Sequence, residues 1–168
     1  WGEYEPPEAR SMMKAKTVSH IAVCVRDLER SLGFYRDILG LTVKVHATQD
    51  MAGRSGAQSA DMYATPHGSR IVANLYFDGE PGADPFLVLV SHPGDDVGGD
   101  PIKLDQIGIS HLSFAVDDVA GMLELLESKG VPLAGKREDF TGGQGNIRTI
   151  FVYDPDGILV QFDQGNAA

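Results

Sequence analysis

Two stretches of the chain alternate apolar and polar positions in the same way. Residues Thr17 to Val25 place Ile21, Val23 and Val25 on one side of an extended strand and His20, Ala22 and Cys24 on the other. Residues Gly108 to Val116 do the same around His111. Val18-Ser19-His20 and Ile109-Ser110-His111 stand 91 positions apart, and each strand runs into an Asp before a helical pattern. Self-similarity at a fixed offset predicts a fold built twice from one unit. Asp27 caps a predicted helix to about Leu39, with Leu28, Leu32, Tyr35 and Leu39 on one stripe and Gly40 as the stop. Its counterpart runs from about Asp118 to Lys129, with Val119, Met122, Leu123 and Leu126 on one stripe and Gly130 as the stop.

The remaining patterns complete each unit. In the first, Leu41 to His46, Arg70 to Phe77 and Phe86 to Ser91 read as strands. Residues 47–69 read as a long loop with a short strand near Asp61 to Ala64, and Asp78-Gly79-Glu80-Pro81-Gly82 as a turn. In the second, Leu133 to Glu138, Ile147 to Tyr153 and Ile158 to Phe162 read as strands, the last two around Asp154-Pro155-Asp156-Gly157. The expected organisation is an arm at 1–16, a βαβββ module at 17–92, a linker at 93–107 and a second βαβββ module at 108–168. The fold class is α+β, with curved mixed sheets around a central cavity and helices outside.

Composition narrows the function classes. The formal charge of −10 over 168 residues argues against nucleic acid or an anionic membrane as partner. No apolar run approaches the roughly 20 residues of a membrane-spanning helix. One cysteine, Cys24, and a polar start without an apolar leader make a cytoplasmic location the expectation. The chain opens at Trp1, so Met12 or Met13 is the expected native start.

Val25-Arg26-Asp27-Leu28-Glu29-Arg30-Ser31, Phe34-Tyr35-Arg36-Asp37-Ile38-Leu39-Gly40-Leu41 and Tyr153-Asp154-Pro155-Asp156-Gly157 together resemble the vicinal oxygen chelate superfamily. That family includes glyoxalase I, extradiol dioxygenases, methylmalonyl-CoA epimerase, and fosfomycin- and bleomycin-resistance proteins. The resemblance covers residues 17–163. It implies metal ligands on the first and last strands of each module, here His20, His111 and Gln161. Gln161 stands where the family pattern has Glu, four residues after Gly157. Aligning Phe86-Leu87-Val88-Leu89-Val90 with Ile158-Leu159-Val160-Gln161-Phe162 puts Leu89 at the fourth ligand position.

A His2Gln set lacks the carboxylate of the two-His-one-carboxylate iron site, so affinity for hard cations falls and redox chemistry is disfavoured. Three functions stay open. The first is a metal-dependent lyase, isomerase or epimerase using Fe, Mn, Ni, Co or Zn to chelate a small oxygen-bearing substrate. The second is a metal-free small-molecule binding or resistance protein. The third is an Fe(II) dioxygenase. His67 is the candidate catalytic acid or base, since imidazole as a group suits proton transfer near neutrality. Asp163 shares the parity of Gln161 as a substitute carboxylate, and Asn74, Tyr76, Arg148 and Tyr153 are candidate cavity residues. Cys24 reads as a buried inert thiol. Thr141 to Asn146 reads as a flexible loop able to close over substrate. The resemblance also implies a homodimer, with sheets assembled within one chain or across two.

Overall fold

The alternation around Val23 builds the first strand, β1 (His20–Cys24), with Val23 buried and His20, Ala22 and Cys24 exposed. In the computed structural model, which describes residues 15–51, 62–77, 85–94, 97–142 and 145–165, it is followed by α1 (Leu28–Tyr35), β2 (Thr42–Asp50), β3 (Ser69–Tyr76) and β4 (Phe86–Ser91). The second unit runs β5 (Leu112–Ala115), α2 (Val119–Ser128), a 3-10 turn (Arg137–Phe140), β6 (Thr149–Tyr153) and β7 (Leu159–Asp163). Sheet A has the order β1-β4-β3-β2 and sheet B the order β5-β7-β6. In both, the first strand pairs parallel with the last and the remaining pairs are antiparallel. The α+β class with two mixed sheets is borne out.

Both helices begin as the sequence predicts. The Asp27 carboxylate accepts from Arg30 N at 3.0 Å, and Asp118 accepts from Gly121 N at 3.0 Å, each satisfying an otherwise unpaired amide of the first turn. Gly40 (φ 80°) and Gly130 (φ 70°) end the two segments in the left-handed conformation. The regular part of α1 stops at Tyr35, short of the expected Leu39. The chain continues in wide turns, such as Leu39 N to Phe34 O at 3.0 Å, before Gly40.

The expected Thr17–Val25 and Gly108–Val116 strands are shorter, His20–Cys24 and Leu112–Ala115, so His111 directly precedes β5 instead of lying in it. Three other expected strands differ. β2 runs on to Asp50, because Thr48, Gln49 and Asp50 keep partners Ile71, Arg70 and Ser69 on β3. Residues Met62 to Ala64 form no strand, and Asp61 lies outside the described residues. Leu133 to Glu138 is not a strand. Leu133 makes one bridge to Val152, and the charged residues that follow wind into the 3-10 turn. Sheet B therefore has three strands where four were expected. The arm to Lys14 with both candidate start methionines, the 78–84 turn and linker residues 95 and 96 lie outside the described residues.

One core joins both units. Leu32 and Tyr35 of α1, Leu123 and Leu126 of α2, Leu89 of β4 and Val160 of β7 are fully buried in it. The helices cover one face of each sheet, leaving the faces that carry His20 and His111 uncovered by them. Two polar clasps tie the units. Tyr35 Oη donates to Asp154 Oδ2 at 3.0 Å in the interior. Arg26 N donates to Asp156 Oδ2 at 3.1 Å, while Arg26 Nη2 donates to Gly99 O at 2.6 Å. The Asp-Pro-Asp-Gly turn is thus a junction between the units as well as a hairpin. Among the described residues, no helix is long and apolar enough to cross a membrane.

Candidate functional site

The two histidines are held alike. Ser19 Oγ lies 3.2 Å from His20 Nδ1, and Ser110 Oγ lies 2.9 Å from His111 Nδ1. In the tautomer whose Nδ1–H donates to serine, Nε2 keeps the lone pair that a metal ligand needs; in the other, the serine hydroxyl donates to Nδ1. His20 stacks on Phe86 (5.5 Å), which stacks on Tyr76 (4.7 Å). His111 meets Phe151 edge-on at 5.6 Å. Gln161 Nε2 donates to Thr149 Oγ1 at 2.8 Å, which fixes the amide and leaves its Oε1 as the donor atom.

Sheet register decides which residues share a face. Ser113 pairs with Gln161, so Gln161 lies on the face of His111, diagonal to it across β5 and β7. Ala22, the counterpart of Ser113, pairs with Val88. Val88 is therefore the match of Gln161 in the first unit. Leu89 pairs with Val23, is fully buried on the helix side and is not at the fourth ligand position. Either residue is apolar, so the expectation of no fourth protein ligand is unchanged. Asn74 pairs with Val88 and flanks that position from β3.

The candidate residues are only partly brought together. His111 lines a cavity of about 220 Å³ with Ala22 and Cys24, but His20 does not line it. His67 lies at the other end of sheet A from His20. It stacks on His92 at 3.9 Å beside Tyr63, and His92 follows Ser91, five residues along β4 from the partner of His20. That separation is about 17 Å along the strand. Asp163 has both oxygens engaged, by Ser113 Oγ at 2.9 Å and Gly165 N at 2.7 Å. Among the described residues, no group of three or more His, Cys, Asp or Glu is placed to hold a metal ion. Cys24 is exposed, contrary to its reading as a buried thiol. Partial desolvation, then the Asp156 charge, push its pKa up against the pull of Arg26, so the group stays a thiol.

A larger cavity of about 450 Å³ is lined by neither His111 nor Gln161 and reaches them only through Phe151, which touches the His111 ring. Its floor is the open face of sheet B, with Phe151, Tyr153 and Leu159, and Phe151 is the register partner of Gln161. The linker residues Ile102 to Asp105 form one wall, and Gly135 and Phe140 contribute to another. Tyr153 joins the lining as expected, while Arg148 is exposed outside it. The linker wall was missed because its Gly, Pro and Asp content reads as a spacer. The glycine loop is closed by hydrogen bonds at its ends, Gly142 N to Asn146 O and Gly145 N to Gly142 O, with Gly143 and Gln144 outside the described residues.

Comparison with known proteins identifies this architecture. The family model described as Glyoxalase/Bleomycin resistance protein/Dioxygenase superfamily matches residues 17–162. Lactoylglutathione lyase of Schizosaccharomyces pombe is 25% identical over 165 residues, 89% of this chain, and the chain spans about half of it (47%). An ethylmalonyl-CoA/methylmalonyl-CoA epimerase of Cereibacter sphaeroides is 26% identical over 88% of this chain and 96% of its own length. A crystal structure of the fosfomycin resistance protein FosX of Listeria monocytogenes, a glutamate-to-glutamine mutant with Mn(II) and 1S,2S-dihydroxypropylphosphonic acid, superposes with a TM-score of 0.56. It is 17% identical and covers 92% of this chain and 96% of that one.

Proposed function

We propose that this chain, which belongs to the glyoxalase/bleomycin resistance protein/dioxygenase superfamily, binds a small oxygen-bearing substrate at a divalent-metal centre of His20, His111 and Gln161. Its chemistry there is of the lyase, isomerase or epimerase type. The observation that carries the reading is the matched pair of serine-held imidazoles. His20 at the start of β1 and His111 directly before β5 stand 91 positions apart with the same serine contact at Nδ1, and Thr149 holds the Gln161 amide by its nitrogen. Outer partners that orient ligands in this way are what metal sites use. A bound divalent ion would supply Lewis-acid stabilisation of a developing enolate-like oxyanion. A lyase and an epimerase among the relatives favour this non-redox class, and the FosX complex with Mn(II) favours a divalent ion. The three donors are neutral, so metal affinity is modest and ring cleavage at iron draws less support.

His20 does not itself line the cavity of His111, although the β1 residues that follow it, Ile21 to Cys24, do; we propose that a second copy of the chain brings its His20 to that centre. Val18 and Ile109, which precede the two Ser-His pairs, are 56% and 76% exposed, as residues awaiting a partner surface would be. A two-fold pair sets His20 of each chain against His111 and Gln161 of the other, giving two equal sites.

Elemental analysis of protein purified without a metal-affinity step tests the centre. About one equivalent of metal per chain is expected. His20→Ala and His111→Ala should each lower affinity at least about tenfold. A chain that takes up no Fe(II), Mn(II), Ni(II), Co(II) or Zn(II) is instead a metal-free binding protein. That second reading is favoured by the engagement of both Asp163 oxygens, which leaves no carboxylate beside His111 among the described residues.

A further inference from the structure

We infer that the linker between the two units is the specificity wall of the substrate cavity, and that Lys103 on it selects a ligand with an apolar, aromatic-sized body and a single carboxylate-type charge. This rests on the proposed function only in taking the cavity over Phe151, the ring that His111 meets edge-on, as the substrate's place. The linker is built into the fold at several points. Arg26 holds its Gly99 carbonyl at 2.6 Å. Pro101 packs over Gly157, where an added Cβ would lie 3.6 Å from Pro101 Cγ. Gly108 (φ 146°) leaves room that Ile102 fills, since a Cβ there would come within 2.7 Å of Ile102 Cδ1. Lys103 N donates to Gln106 Oε1 at 2.6 Å and Gln106 N returns to Lys103 O at 3.1 Å, closing a turn at the cavity. A segment fastened in this way fixes the backbone from which Ile102 and the exposed Lys103 reach the cavity.

The chemistry of the lining defines the ligand. Phe140, Phe151, Tyr153, Leu159 and Ile102 make the cavity mostly apolar, and its volume of about 450 Å³ suits a small organic molecule. Lys103 is the one cationic side chain among the lining residues, and its Nζ lies over the Tyr153 ring, 5.7 Å from the centroid. An ammonium held at an aromatic face beside an apolar floor pairs with an anionic group on a ligand whose body lies on that floor. Asp105 and Asp139 also line the cavity. Asp139 Oδ2 already accepts from Lys136 N at 2.9 Å. Both carboxylates, with the net charge of −10, oppose anions in general and a multiply charged group such as a phosphate ester most, so only direct pairing with Lys103 favours a single charge.

Fluorescent probes test this on the whole chain in EDTA, where binding does not depend on any metal. The probes are 8-anilinonaphthalene-1-sulfonate, an aromatic monoanion, and N-phenyl-1-naphthylamine, its neutral analogue. Both should bind the wild type. Lys103→Met should weaken the anion about tenfold and leave the neutral probe within about twofold, while Lys103→Arg restores the anion. The neutral probe also reports that the variant keeps its cavity. Displacement by 1-naphthoate should exceed displacement by 1-naphthyl phosphate. An anion affinity indifferent to Lys103→Met, a wild type that binds neither probe, or a phosphate that competes better than the carboxylate would each overturn the assignment. Loss of metal binding with this pattern intact would overturn only the metal centre.

Discussion

At the scale of single residues, the parts of the family-like motifs have separable physical jobs. Ser31 is fully buried on α1, and its Oγ has no hydrogen-bond partner among the described residues. An unpaired buried hydroxyl is a cost, so Ser31→Ala is expected to be neutral or to stabilise by up to about 1 kcal/mol, read from urea unfolding. Tyr35 is the opposite case, since its hydroxyl closes the buried clasp to Asp154. Tyr35→Phe should cost about 1–3 kcal/mol. Burial, and then the Asp154 charge, push the Tyr35 pKa far above its ordinary value near 10. The folded state therefore holds this proton more tightly than the unfolded chain, and stability falls as pH rises past about 10, where only the unfolded phenol ionises. Tyr35→Phe should remove that alkaline slope. Asp154 is also shifted upward, by burial that outweighs the bonds from Ile158, Tyr35 and Asp156. Its contribution declines as pH rises through the window just above 3.8 and is flat at higher pH, so Asp154→Asn should lack that acid-side slope.

At the scale of elements, the sequence was readable wherever two independent signals agreed. Each helix start combined an Asp cap with an apolar stripe and was legible, as was the stop of α2 before Gly130, while α1 ends at Tyr35 because wide turns take up the residues before Gly40. Replacing Asp118 by Ala should remove the bond to Gly121 N and cost about 1 kcal/mol in thermal or chemical unfolding. β4 was legible as a strand, but not in its facing. Phe86 to Val90 are all apolar, so only pairing with β1 reveals that Leu87 and Leu89 point to the core and Val88 to the open face. The expected strand at Leu133 to Glu138 rested on its position in the repeat. Gly135 and the charged run from Lys136 to Asp139 carry no alternation, and the local preference for a turn prevailed. The candidate site divided in the same way. His20, His111 and Gln161 were legible as residues from the repeat and the resemblance. Ser19 and Ser110 adjoin the histidines in sequence, while Thr149 reaches Gln161 only through the pairing of β6 with β7. The linker wall was not legible, because its role comes from contacts with Arg26, Gly157 and Gly108 that no local pattern encodes. His67 was singled out for its chemistry alone, and its place beside His92 depends on how residues 62–68 lie against the end of sheet A.

At the scale of the whole molecule, the proposed centre draws on both units, and the two-fold arrangement proposed above would share it between two chains. The units share one core and are tied by Tyr35–Asp154 and Arg26–Asp156, so they sit as a fixed pair with their histidine faces uncovered by the helices. Such a body can complete a centre of His20, His111 and Gln161 by bringing in a second body through a two-fold axis. Complementation separates that arrangement from assembly within one chain. Co-refolding equal amounts of His20→Ala and His111→Ala chains gives about half mixed pairs at random. In a mixed pair with shared sites, one site carries both lesions and the other carries neither. The mixture should then recover about a quarter of the wild-type metal content, although each variant alone binds almost none. Assembly within one chain predicts no recovery, because every chain lacks one of its own ligands. Recovery should also vanish when both substitutions are placed in the same chain and mixed with either single variant. The intact site requires one chain to supply His20 and the other to supply His111.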